Sequence, residues 1–146
     1  MTANPAADPV VVHWELTRHD SEVGLAQLPP AADVPRWAIE NSADVALWCV
    51  LRTADELSII CGWEDIPGSV HSVGPLTVFS VDGPLDHSLT GVLAGLLEPL
   101  AEVAISILAQ STYDTDWILV PAVQADQAVA VWTAAGHHVL IEGDPA

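Results

Sequence analysis

The chain has no lysine and only three arginines, set against twenty acids, for a formal net charge of −17. Binding to a phosphate backbone depends on Lys and Arg displacing counterions. This balance therefore excludes nucleic acid as a partner and, on the same ground, docking on an anionic membrane surface. Long apolar runs are also missing, since none reaches the roughly 20 residues that a membrane-spanning helix needs. Residues 1–9 hold no basic residue and no apolar core of a secretory signal. They read as a disordered tail, and the expected compartment is the cytoplasm. There are two cysteines, Cys49 and Cys61. Two are too few for a structural zinc site; they sit on what read as paired strands, where direct opposition across the hairpin is open, but in a reducing compartment buried free thiols are the expected state.

Catalytic signatures are scarce as well. The sequence contains no G-x-S-x-G elbow and no phosphate loop ending in Gly-Lys-Ser/Thr. Its six histidines are scattered. His137 and His138 are neighbours on a strand, so they face opposite sides and cannot share a metal. No catalytic residue, metal or cofactor is expected, and the chain is not read as an enzyme.

What is present is a hydrophobic fraction of 51% in 146 residues. A chain of this length buries roughly 70% of its unfolded surface, which makes one domain or two very small ones. Residues 10–19 start β-branched and read as a strand, which 23–28 continues or re-pairs before Pro29 and Pro30 end it. Asp33 can cap a short helix through about Asn41, with Trp37 facing inward. Residues 45–53 and 57–61 form a strand pair, and 70–81 is extended but interrupted at Gly74 and Pro75. A helix is expected from Asp86 or Ser88 to about Val103. Its apolar positions Leu89, Val92, Leu93, Leu96, Leu97 and Leu100 follow the i, i+3, i+4, i+7 spacing, and Pro99 should kink it. Strands follow at 105–113 and 117–121, then a helix at 126–135 that Gly136 can end in a left-handed conformation. The last strand is 137–141.

From Leu76 onward this is the β-α-β-β-α-β order of a ferredoxin-like unit. The first half gives β-α-β-β and reads as a shortened copy. The fold class is therefore α+β: two ferredoxin-like units in tandem, 10–73 and 74–146, antiparallel with helices on one face. Trp117 and Leu119 point to one face of their strand, Ile118 and Val120 to the other. Both faces are apolar, so the face without helices must also be covered, by the other half or by a second chain.

Three stretches, LRTADELSIIC (51–61), VDGPLDHSLTGVLAGLLEPLAEVAISI (81–107) and STYDTDWILV (111–120), resemble the tandem ACT-domain proteins. These are small bacterial proteins similar to the regulatory region of aspartokinases and to the CASTOR-type arginine sensors. The resemblance is densest from Glu56 to Val139. It implies paired ACT units, with an amino acid bound at the interface between them, and often a homodimer. The sensor-type ligand lies between two C-terminal-type units, and this chain has one, so a homodimer would rebuild that interface.

An amino acid presents a carboxylate and an ammonium on one carbon. The carboxylate needs N–H donors, which a glycine-led helix N-terminus supplies. Gly83 and Gly91 flank that N-terminus, with Leu89, Val92 and Leu93 beside it. A tight strand-to-helix turn would need the same glycines. The resemblance puts the ammonium-binding acid at Asp116, with Asp114 left mostly to an Asx-type turn. Thr112 and Tyr113 are candidate pocket walls, and Ser106 and Ile107 candidate contacts from the partner unit, although Ile107 is foremost a core residue. The resulting expectation is an amino-acid-binding regulatory module coupled to oligomer state or to a protein partner. The alternative is an acidic protein-interaction module, inhibitor-like and without a small ligand.

Overall fold

In the computed structural model, which describes residues 12–145, the strands join into one seven-stranded sheet. In sequence order the elements are β1 (Glu15–Leu28), α1 (Arg36–Ile39), β2 (Cys49–Arg52), β3 (Leu57–Gly62) and β4 (His71–Val81), followed by α2 (Val92–Glu102), β5 (Leu108–Ser111), β6 (Asp116–Pro121), α3 (Ala125–Ala134) and β7 (His138–Ile141). The tail expected at residues 1–9, and the start of the first strand at 10 and 11, lie outside the described residues.

The strand order is β2-β3-β1-β4-β6-β5, with β7 on β1. The β-α-β-β-α-β order from β4 to β7 is as expected, but the ladders depart from a separate four-stranded sheet. β1 lies between β4 and β7, pairing with β4 antiparallel and with β7 parallel through Leu16↔Val139. Residues 10–19 and 23–28, expected as two strands, are one strand from Glu15. It absorbs its irregularity as register shifts between Arg18 and Glu22 and between Val23 and Leu25. The second shift lies opposite Gly74 and Pro75, so β4 runs on where an interruption was expected. A bulge tolerates a residue that cannot donate to the ladder.

The helices share one face. α2 and α3 cover Leu16, Phe79, Ile118 and Val120, and α1 covers Leu57, Ile59 and Cys61. Ile59 and Ala26 are Cα partners, and Ala26 points away from Val23 and Leu25, which belong to the opposite face. On that face Val23, Leu76, Val78 and Leu119 pack with Leu47 and Ile60. The sheet curls around this second core, so that Cys49 and Leu108, on the edge strands β2 and β5, pack against the same cluster. The two apolar faces of β6 are thus both filled from within the chain. Cys49 belongs to this concave core and Cys61 to the α1 side. The two free thiols therefore face opposite ways, and burial pushes both up, Cys61 to about 11 with a further push from Asp65.

Helix ends follow local chemistry. At the end of α3, Gly136 is left-handed (φ 91), with His137 N donating to Trp132 O at 2.9 Å and Gly136 N to Thr133 O at 3.0 Å. These two bonds define the expected C-terminal motif. Inside α2, Pro99 removes the amide that would bond Gly95. Buried His137 lies beside this turn, and its Nδ1 accepts from Trp14 N at 3.1 Å. Burial, ahead of the other influences, holds this histidine below its ordinary value, so it is neutral at physiological pH.

The main correction concerns the start of α2, expected at Asp86 or Ser88 and found at Val92. Asp86 spends its carboxylate on Ser88 instead, accepting from its N at 2.8 Å and its Oγ at 2.6 Å. This local turn competes with a helix, and the two bonds hold the Asp86 carboxyl below the usual range. Gly91 then takes φ 79, outside the helix, and becomes the residue before its first turn. The strand expected at 105–113 is also shorter. Ile105 turns back after left-handed Ala104, with Ile105 N donating to Leu100 O at 3.0 Å. Ser106 and Ile107 therefore precede β5.

Candidate ligand pocket

A cavity of about 440 Å³ lies between the start of α2 and the β5–β6 turn. One wall is the 85–94 segment, with Asp86, His87, Leu89, Gly91, Val92 and Leu93. The other is the 111–116 hairpin end, with Ser111, Thr112, Tyr113, Asp114 and Asp116.

The two walls have opposite polarity. Among the described residues no side chain caps α2, so its first-turn amides at Val92, Leu93 and Ala94 have no partner among them and stand at the positive end of the helix. Gly91 leaves open space where a side chain would stand, since a Cβ there would meet nothing within 4 Å. The facing hairpin contributes acids. Asp116 is half-buried, and one of its oxygens accepts from Ser111 Oγ at 2.7 Å. The hairpin itself is braced by Thr112 N to Thr115 O at 2.9 Å and by Trp117 Nε1 to Thr112 Oγ1 at 3.1 Å.

Two links tie the walls together. Leu85 N donates to Asp114 O at 2.7 Å. His87 Nε2 lies 2.6 Å from Tyr113 O. A carbonyl only accepts, so this nitrogen carries the proton. The His87 and Tyr113 rings also meet edge to face at 4.8 Å.

Of the residues singled out in the sequence, Leu89, Gly91, Val92, Leu93, Thr112, Tyr113 and Asp116 line this cavity. Gly83 does not line it but sits behind it. Ser106 and Ile107 are not among its walls: Ser106 is exposed, and Ile107 packs against the core under the helices. Sequence reasoning did not assign Asp86, Ser111 or Thr115 to the pocket and left Asp114 mostly to its turn. The Asp-x-Ser spacing of 86–88 was the available signal for the first. Among the described residues no group of His, Cys, Asp and Glu could hold a metal.

Gly83 supplies a direct test of how the walls are held. A Cβ at this position would stand 3.0 Å from Asp114 O, 3.1 Å from Leu85 N and 3.2 Å from Thr115 Cβ. Two of these are backbone atoms that cannot swing aside. Gly83→Ala is expected to part the walls and destabilise the fold by about 1–3 kcal/mol, read as a lower urea midpoint. An unchanged midpoint would mean that the contact is soft.

Known proteins give the following comparisons. Residues 72–132 match the family model of the ACT domain. The matched stretch runs from β4 into α3 and contains every residue that lines the cavity. No curated protein matches the chain. Among solved structures, an Agrobacterium tumefaciens protein is 28% identical, covers 92% of this chain and 98% of its own, and superposes with a TM-score of 0.81. A Vibrio cholerae protein of unknown function, described as a possible transport protein, is 16% identical over 84% of this chain and 89% of its own, with a TM-score of 0.65. The regulatory subunit of aspartate kinase from Thermus flavus is 14% identical over 86% and 98%, with a TM-score of 0.53. The last two likenesses are of fold. No helix among the described residues is long and apolar enough to cross a membrane.

Proposed function

We propose that the chain is a regulatory module that binds a free α-amino acid in the cavity between α2 and the β5–β6 turn. The observation that carries this reading is the polarity of the two walls: uncapped amides at Val92 to Ala94 on one side and the Asp116 carboxylate on the other. A zwitterion presents the matching pair, its carboxylate to the helix end and its ammonium to the acid. The ACT match over these elements, and a fold shared with an aspartate kinase regulatory subunit, support a regulatory rather than a catalytic role.

The bound ligand would bridge α2 and the β5–β6 hairpin, which otherwise meet through loop contacts. Any state with the walls at the right spacing would gain population, which is the only way a ligand shifts an equilibrium. Ser106, exposed and outside the cavity within one chain, would reach a ligand only from a second copy. A homodimer, or a protein partner that reads the bridged state, is the natural output.

A thermal-shift screen of the full chain against the twenty amino acids tests the proposal. One or a few are expected to raise the melting temperature, by roughly 5–10 °C at a hundred times Kd, since about 2.7 kcal/mol is gained there and 1 kcal/mol is worth about 2–4 °C at this size. No response to any of the twenty, together with a salt-sensitive complex with a basic protein, would favour the acidic interaction module instead.

A further inference from the structure

The geometry points to a second binding site, unrelated to the first, on the concave face of the sheet: an apolar slot that takes a small uncharged molecule about the size of one aromatic ring. Curling brings the edge strands β2 and β5 toward each other, and a cavity of about 180 Å³ remains between them. Its floor is Leu25, Ile60, Leu108 and Leu119, with Cys49 on one side and Ser58 and Gln110 as its polar groups. An engineered cavity of roughly 150 Å³ lined by Leu, Ile and Phe stays dry and binds benzene or xenon, so both size and chemistry suit such an occupant.

Charge selects the class further. The chain carries twenty acids, and among the described residues none lines this slot. A charged ligand would find no counter-ion there and would lose its hydration. The slot itself holds at most one inserted side chain. Among the described residues no helix covers this face, yet Leu119 below is fully buried while Leu51 at the rim is 56% exposed. The slot is therefore open at the top and closed at the bottom.

Cys49 makes the site measurable, because its thiol belongs to the slot while Cys61 lies on the other face as an internal control. The full chain is titrated with benzene and, as a charged comparison, benzoate. Alkylation of each cysteine by iodoacetamide is followed by peptide mass spectrometry, and the leucine methyl groups by NMR. Benzene at ten times its Kd is expected to slow Cys49 alkylation by roughly tenfold, the factor 1 + [L]/Kd. It should leave Cys61 unchanged and shift the methyl groups of Leu25, Leu108 and Leu119, while benzoate does none of this. Ser58→Leu, which fills the slot, is expected to remove the response. The methyl shifts of the unaltered chain decide the matter even if that variant fails to fold. Shifts that fall on other leucines, equal protection by benzoate, or none by benzene would overturn the assignment. So would sedimentation showing a dimer of the unaltered chain that Leu51→Asp dissociates, since a second copy would then occupy the face.

Discussion

Trp132→Ala is expected to cost about 3–5 kcal/mol of folding stability, the range for removing a large buried aromatic side chain. The urea midpoint should fall with little change in slope. Trp132 is fully buried under α2 and α3. Its ring meets Phe79 of β4 edge to face at 4.9 Å. Its Nε1 donates to Leu96 O at 2.8 Å. One side chain thus ties α3 to the sheet and to α2, the helix whose first turn forms the pocket wall. Trp132→Phe keeps most of the packing and loses the hydrogen bond, so a smaller loss of about 1–2 kcal/mol is expected. If alanine cost no more than phenylalanine, the ring would not be the brace described.

Much of this arrangement is legible in the sequence. The alternation of Trp117 and Leu119 with Ile118 and Val120 places both cores correctly, because a strand's side chains have a period of two whatever it pairs with. The face of α3 through Ala128 and Trp132, and the stop at Gly136, follow from helical spacing and from the left-handed cap. Insertion of β1 between β4 and β7 leaves no such trace. Strand order is settled by contacts distant in sequence, and a strand in either position would show the same pattern. The start of α2 was misplaced for a local reason: a run with helical spacing begins before Gly91, but the bonds from Ser88 to Asp86 win there. That shift also hid Asp86, which belongs to a wall of the pocket rather than to a helix. The doubly apolar β6, expected to be covered by the other half or by a second chain, is satisfied within the chain by the curl of the sheet.

Asp116→Asn carries the second large effect, on binding rather than folding. The amide is nearly the same shape and its oxygen can still accept from Ser111 Oγ, now at 2.7 Å from the carboxylate, so stability should hold within about 0.5 kcal/mol. What disappears is the charge that would face the ligand's ammonium. A hydrogen bond to a charged group is worth about 1.5–3 kcal/mol, so affinity for the stabilising amino acid should fall roughly ten- to hundredfold. Calorimetric titration of both proteins at one ionic strength checks this. Equal affinities would mean that Asp116 serves only the hairpin turn.

The central claim is that one ligand is gripped by both poles at once, and ligands trimmed at each pole test it most directly. Calorimetry would compare the amino acid found in the screen with its carboxamide, which lacks the carboxylate, and with its N-acetyl form, which lacks the ammonium. The account predicts that both trimmed forms bind the unaltered chain far more weakly than the parent, and that Asp116→Asn weakens the parent but adds little further loss for the N-acetyl form. Binding of the carboxamide or the N-acetyl form as tight as that of the parent would contradict the account, because one wall of the cavity would then contribute nothing.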